Sequence, residues 1–415
     1  MGFSELIAVA GILPWCTYLE DGYSVFKYAL LSAICLAFIA YKRPKSSGLD
    51  FPAYLYFFAL LVASISGGLA VSFVGKQNNY FTGVLPTICV LVSYHLSIGA
   101  DLKRLERAVA WSTLVCAGLA IAQSYGYLLT SGDYFQGRVY ACQGSPVFLG
   151  GLLGVLAPIS YRVLGPLSMP VLAWAIYLTQ SRSGVISGGV GLLAYFAHER
   201  LIPKKIAALL ATAVLGACVF AFAGKRGTGD SDMGRYHMTR VALEVISDFP
   251  ILGIGPERFG GAMRAYRTKE IDHDLSPQWT NYYTHNQFLE ALVSGGLVLF
   301  STYIVLILCI GLYTWNMCPP EIFGACAAMF TYAMFQPTPL ALKAIMACLI
   351  GATATQYRES PKPIRWFLIL GAALAFIFSV RAVAYSRVSL VGIDIGNGNI
   401  LVGAFNYNKS AMGDQ

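Results

Sequence analysis

The chain has 415 residues, of which 56% are hydrophobic and only 12% charged, with a formal net charge of +8. A soluble domain carries about 25% charged residues, and a mean hydropathy of +0.60 is more than a water-soluble core of this length can hide, so soluble enzymes, disordered scaffolds and coiled coils are excluded. The basic residues lie between apolar runs rather than in one patch, which argues against a nucleic-acid partner.

Met1–Glu5 has no Lys/Arg n-region and no small-residue cleavage site follows, so the first apolar run is expected to be retained in the membrane. A crossing helix needs about 20 apolar residues. Such runs occupy Tyr23–Tyr41, Phe51–Val74, Phe81–Ala100, Ala108–Leu129, Pro146–Tyr161, Ile206–Ala223, Leu289–Trp315, Pro339–Gln356 and Trp366–Tyr385. Shorter runs at Ile7–Leu19, Pro166–Thr179, Gly184–Ala197 and Ile322–Phe335 bring the expected number of spans to 12 or 13. The expected fold is all-α, a polytopic integral membrane helix bundle with one large helical loop. Of the 10 cysteines, Cys142 and Cys318 lie in loops and the rest in apolar runs; they read as buried small hydrophobes rather than metal ligands or a disulfide framework.

Orientation follows from the short loops. Lys42, Arg43, Lys45, Lys103, Arg104, Arg107, Arg162, Arg200, Lys204, Lys205, Arg358, Lys362 and Arg365 fall on one side, 13 in all, against only 3 on the other: Lys76, Arg138 and Arg182. The first set is expected to face the cytoplasm, with the N-terminus inside and the C-terminal tail outside. The expected organisation is a first bundle segment over 1–223, an outer loop over 224–284, a second bundle segment over 285–385 and a tail over 386–415.

The 61-residue loop holds eight Lys/Arg and eight Asp/Glu, and loops of this length are usually functional or disordered. Met238, Val241, Ala242, Val245 and Ile246 fall at helical spacing, so Arg235–Ser247 reads as an amphipathic helix that Pro250 ends before a tight turn at Gly253-Ile254-Gly255-Pro256. The loop reads as a small helical cap over the outer face. No internal repeat is visible, against transporter folds built on inverted repeats.

Three stretches on the outer side could carry chemistry. Thr179-Gln180-Ser181-Arg182-Ser183-Gly184 wedges a permanent cation between two short apolar runs; Arg182 is either functional or a snorkelling residue at a helix end. Gly234-Arg235 opens the amphipathic helix, where a cation opposes the macrodipole, which suggests either an anionic partner from outside the helix or a solvated loop arginine; Arg240 follows five residues on. Tyr283-Thr284-His285-Asn286 lies where the long loop re-enters the membrane; His285 there serves as a base or anion donor, or simply caps a helix.

Taken together, Ser181-Arg182-Ser183-Gly184, then Gly234-Arg235 fifteen residues before Pro250-Ile251-Leu252-Gly253-Ile254-Gly255-Pro256, then His285-Asn286 before a Gly-rich apolar helix resemble the O-antigen ligase and polymerase superfamily. The resemblance covers roughly Thr179 to Leu299. It implies a multi-pass protein of the bacterial inner membrane with its active site facing the periplasm. It also implies a glycosyltransferase moving O-antigen polysaccharide from undecaprenyl diphosphate to lipid A–core in lipopolysaccharide biosynthesis. On this resemblance Arg182 and Arg235 bind the diphosphate and His285 is catalytic, with Ser181, Ser183, Asn286 and Arg240 in possible support. Two arginines can clamp a diphosphate through bidentate hydrogen bonds, and His285 can take a proton from the acceptor hydroxyl. No metal and no cofactor is expected, and the transfer is expected to invert the anomeric centre. Other members of the class would polymerise the glycan or move it to a protein such as pilin; a flippase for the same lipid is the rival from another class.

Other motifs carry less. Asp230-Ser231-Asp232 has metal-ligand spacing but reads as part of a Gly-rich turn, and Asp272-His273-Asp274 reads as a hydrated loop. Gly392–Gly398 resembles the phosphate turn of actin-like ATPases without the two-lobed domain such enzymes need. Lys343, near the outer end of an apolar run, either faces the same cavity or snorkels.

Overall fold

A computed structural model of the chain describes residues 2–14, 24–67, 83–126, 137–203, 205–206, 230–274, 283–354 and 357–390. Within them the fold is helical: α1 (Phe3–Ile12), α2 (Ser24–Tyr41), α3 (Asp50–Gly67), α4 (Val84–Ser97), α5 (Leu102–Ser124), α6 (Pro146–Leu164), α7 (Ser168–Thr179), α8 (Arg182–His198), α9 (Asp230–Asp248), α10 (Phe259–Ala265), α11 (Lys269–Asp274), α12 (Gln287–Met317), α13 (Pro320–Ala333), α14 (Leu340–Ala352) and α15 (Lys362–Leu390). Five described helices are long and apolar enough to cross a membrane: Asp50–Gly67, Leu102–Ser124, Pro146–Leu164, Gln287–Met317 and the Lys362–Val380 part of α15. The expected short spans form helices too, but of 10–17 residues, and most of the Ile206–Ala223 run and the Gly392–Gly398 motif lie outside the described residues. The eight described cysteines are free and seven of them buried.

Two of the loops assigned to the cytoplasmic side meet in a short sheet. Lys45–Ser46 (β1) pairs antiparallel with Arg358–Glu359 (β2), and Arg43 bridges to Glu359 at 3.1 Å. The end of α4 joins them, with Lys42 Nζ donating to the Leu96 carbonyl at 2.6 Å and His95 Nδ1 to that of Lys45 at 2.6 Å. His198 Nε2 donates to the Trp315 carbonyl at 2.9 Å, tying α8 to α12. Helix α5 starts six residues before the apolar run because Asp101 caps it, its carboxylate accepting from the Arg104 amide at 3.2 Å. Lys103, Arg104 and Arg107 thus ride on the first turns of a helix rather than in a loop.

Small residues let the central helices touch. Gly150 and Gly154 of α6 face Gly184 and Gly188 of α8: a Cβ on Gly184 would meet the Gly150 backbone at 2.6 Å, and one on Gly188 the Cα of Gly154 at 3.2 Å. Four-residue spacing of glycines on both partners is the pattern by which membrane helices approach closely when lipid is as apolar as any side chain. The contact fixes the start of α8, where Arg182 sits.

The 224–284 loop folds as the expected helical cap where it is described. Met238, Val241, Ala242 and Val245 of α9 bury against Phe259, Ala262, Met263 and Ile271, and Val293 of α12 completes this small core. The cap therefore rests on the first turns of α12.

Helix α12 is broken at Gly295 (φ −140°, ψ 16°) and Gly296 (φ 57°, ψ −155°). A break inside a membrane helix exposes backbone groups that lipid cannot satisfy. Here the segment after α9 supplies the partners. Ile254 and Gly255 amides donate to the Val293 and Ser294 carbonyls at 2.9 Å each, and the Leu297 amide donates to Pro250 at 2.8 Å. Gly253 (φ 61°) and Gly255 (φ 92°) take the left-handed turns this requires. The Pro250–Pro256 motif is thus more than a helix stop; it seals the break and sets the angle at which residues 287–294 enter.

Candidate functional site

The Arg182 turn is built by its neighbours. Gln180 ends α7 in the left-handed region (φ 52°), and the Ser181 hydroxyl caps α8 by accepting from the Gly184 amide at 3.2 Å. Ser181 and Ser183 are buried and hydrogen-bond each other at 3.1 Å. Their hydroxyls hold the turn, and Arg182, exposed at the first position of α8, is the residue the turn presents.

Helix α9 begins at Asp230 rather than Arg235, which corrects the Gly-rich turn expected around Asp230-Ser231-Asp232. Arg235 falls in the second turn, so the macrodipole argument does not apply to it; it applies to Arg182. Arg235 is half-buried, and its charge acts on Tyr283, His285 and Arg138. Arg240 instead pairs with Glu244 at 3.5 Å and with Glu270, within the cap itself.

His285 is held from several directions. Its backbone is left-handed (φ 56°), a conformation that costs a residue with a Cβ and marks an imposed position. Its ring lies 4.5 Å from that of Tyr283. Nδ1 donates to the Gln336 amide oxygen at 2.8 Å, which leaves Nε2 carrying the lone pair. Burial, aided by the Arg235 charge and opposed by the Gln336 bond, lowers its pKa from 6.5 to about 4. The imidazole is therefore neutral across the physiological range and able to accept a proton. Asn286 caps α12, its side-chain oxygen accepting from Phe288 and Leu289 amides at 2.9 and 3.1 Å.

Arg138 joins this group, a residue that the motifs gave no reason to choose. Its Nε donates to the Thr179 carbonyl at 2.9 Å, three residues before Arg182. Burial, and then the Arg235 charge, lowers its pKa. An anion between the two guanidinium groups would relieve that repulsion. The segment carrying Arg138 is pinned through Gln123, whose side-chain oxygen accepts from Tyr140 and Ala141 amides at 2.9 and 2.8 Å, and through Lys27, which donates to the Cys142 carbonyl at 2.7 Å. The signal in the sequence was slight: Arg138 is one of only three cations in the short loops assigned to the outer side.

Beneath His285, Glu290 accepts from the Thr284 amide at 2.9 Å, and half-buried Lys343 lies within electrostatic reach of Glu290 and Glu257. Lys343 therefore faces this interior rather than snorkelling. Asp274 accepts from buried His237 at 2.9 Å and from His273 at 3.1 Å, which holds its pKa low; this is a clasp between α9 and α11 rather than a hydrated loop. Among the described residues no group of three or more His, Cys, Asp and Glu could hold a metal ion.

Residues 167–304 match the O-antigen ligase family model. The match supports the O-antigen ligase and polymerase superfamily and an activity of ligase or polymerase type. It spans Arg182, Arg235 and His285, whereas Arg138 and Gln336 lie outside it. No curated protein matches the chain.

Proposed function

We propose that the protein transfers O-antigen polysaccharide from undecaprenyl diphosphate to lipid A–core at the periplasmic face of the bacterial inner membrane. The observation that carries this reading is that Arg235 acts on both a half-buried, neutral His285 and Arg138, with Arg182 beginning the helix just after the carbonyl that holds Arg138. A diphosphate is already a good leaving group, so what it needs is neutralisation of the charge that grows as it departs. Preorganised cations aimed at developing charge are usually the largest catalytic contribution. Arginine suits the task because its planar fork grips phosphate oxygens in pairs.

His285 Nε2 takes the proton of the acceptor hydroxyl as that oxygen attacks the anomeric carbon from the face opposite the diphosphate. The glycosidic bond forms, the bond to the diphosphate breaks, and the configuration inverts. Donor binding strengthens the base. The diphosphate offsets the Arg235 charge that helps hold the imidazole neutral, so the histidine becomes more basic once the donor is seated. No step draws on a metal or a nucleotide.

Lipopolysaccharide gels of a deletion strain distinguish the members of the class. Loss of a ligase leaves polymer on its lipid carrier and bare lipid A–core, the result expected here. One-repeat caps on lipid A–core would identify a polymerase instead, and a failure to export the lipid-linked glycan would identify a flippase.

A further inference from the structure

Gln336 lies in the short connection between α13 and α14 and is 1% exposed. Its amide has two chemically distinct ends. The oxygen accepts the Nδ1–H of His285 at 2.8 Å; the nitrogen has no hydrogen-bond partner among the described residues. A buried amide N–H₂ left without an acceptor is destabilising, and a ligand oxygen beside His285 would satisfy it. The connection itself is clasped to the start of α12, because the Thr338 amide donates to the Gln287 side-chain oxygen at 3.3 Å, with Gln287 buried. Gln336 and His285 are thus held at a fixed separation by contacts on both sides.

We propose that Gln336 is the positioning residue of the site: its amide oxygen locks His285 in the Nδ1–H tautomer, and its amide nitrogen donates to a hydroxyl of the acceptor sugar beside the one that reacts. The inference rests on the transfer reading above. An acceptor hydroxyl that gives its proton to His285 Nε2 must approach to about 2.6–3.2 Å. Sugars carry hydroxyls on adjacent carbons, so a donor next to the imidazole can hold the neighbour of the attacking oxygen. A site built to hydrogen-bond a substrate hydroxyl strongly rejects an analogue that lacks it, so Gln336 also selects the acceptor. Among the described residues, the charge of Arg235 of α9 acts on His285, the Tyr283 ring of its own segment lies against it, and Glu290 is within reach of Tyr283.

The test uses the full chain in lipid nanodiscs with Gln336→Met, which removes both ends, and Gln336→Glu, which keeps an acceptor for Nδ1–H and removes the donor. Nitrogen-15 spectra without substrate, with the His285 signals assigned by their loss in His285→Ala, should show one tautomer in the unaltered protein, a mixture in Gln336→Met, and a more basic imidazole in Gln336→Glu. In transfer assays Gln336→Met should lower kcat roughly tenfold or more and raise the acceptor KM while leaving the donor KM unchanged. Gln336→Glu should recover part of kcat, with its acid limb moved to higher pH, and still bind acceptor poorly. An unchanged tautomer in Gln336→Met, or kcat and acceptor KM within twofold of the unaltered protein, would overturn the proposal. Should His285→Ala transfer normally while the Gln336→Met tautomers still mix, the transfer mechanism fails and the histidine–glutamine lock stands.

Discussion

Replacing Arg138 by alanine should separate stability from function. Without donor, Arg138 sits close enough to Arg235 for the two charges to act on each other. Between partly exposed like charges such repulsion is screened to about 1 kcal/mol or less, and the substitution removes it. It also removes the charged hydrogen bond from Nε to the Thr179 carbonyl at 2.9 Å, worth about 1.5–3 kcal/mol. The two changes partly offset, so the donor-free melting temperature should move by only a few degrees (about 2–4 °C per kcal/mol for a large domain). With donor bound the balance differs, because the diphosphate loses a charge-assisted contact and nothing is relieved. Affinity for the lipid-linked donor should fall roughly 10- to 150-fold. Thermal melts and donor titrations of the same purified samples measure both quantities. Unchanged donor affinity would remove Arg138 from the site, and a large drop in melting temperature with proportionate loss of binding would make it a structural residue.

Arg182→Lys and Arg235→Lys keep the charge but lose the fork, so transfer should fall substantially, by about tenfold or more, while Arg264→Ala on the cap should be tolerated; equal tolerance at Arg182 and Arg264 in the transfer assay would count against the diphosphate clamp. Gly296→Ala should reduce folded yield and melting temperature, because φ 57° with ψ −155° suits glycine alone and such strain costs about 1–3 kcal/mol; normal yield would show that the break in α12 tolerates a side chain. Stability should decline as pH falls from 6.5 toward 4, since His285 stays neutral in the fold while the unfolded chain takes up a proton; His285→Ala should flatten that slope in denaturation curves. Transfer should persist in EDTA and in the Asp230→Ala, Asp232→Ala double variant, and a chelator-sensitive rate restored by Mg²⁺ would reverse the metal-independent mechanism.

Much of the fold was legible because lipid imposes simple rules. Apolar runs located the helices, and the distribution of Lys and Arg put on one side two loops that the fold does join, with Lys45 opposite Glu359 and Ser46 opposite Arg358. The cap helix was legible from Met238, Val241, Ala242 and Val245, which do bury. Its start was not, since Asp230-Ser231-Asp232 between glycines suits a turn as well as the first turn of a helix. The break in α12 shows a different limit. Gly295-Gly296 and the Pro250–Pro256 motif were each visible, but only the fold reveals that one supplies the hydrogen bonds the other lacks. The site divides the same way. Arg182, Arg235 and His285 stand out as charges or imidazoles at membrane boundaries. Arg138 lies in a short connection without periodicity, and Gln336 is a neutral side chain between two helices; their importance arises from tertiary contacts with Thr179 and His285.

The central claim is that His285 acts on the acceptor while the arginines hold the donor. Side-by-side measurement of glycan transfer and lipid-donor binding by purified His285→Ala, with insertion into the membrane checked, tests it most directly. The account predicts that transfer falls by roughly 10²–10⁴-fold while donor binding stays close to that of the unaltered protein. Near-normal transfer by His285→Ala would contradict it.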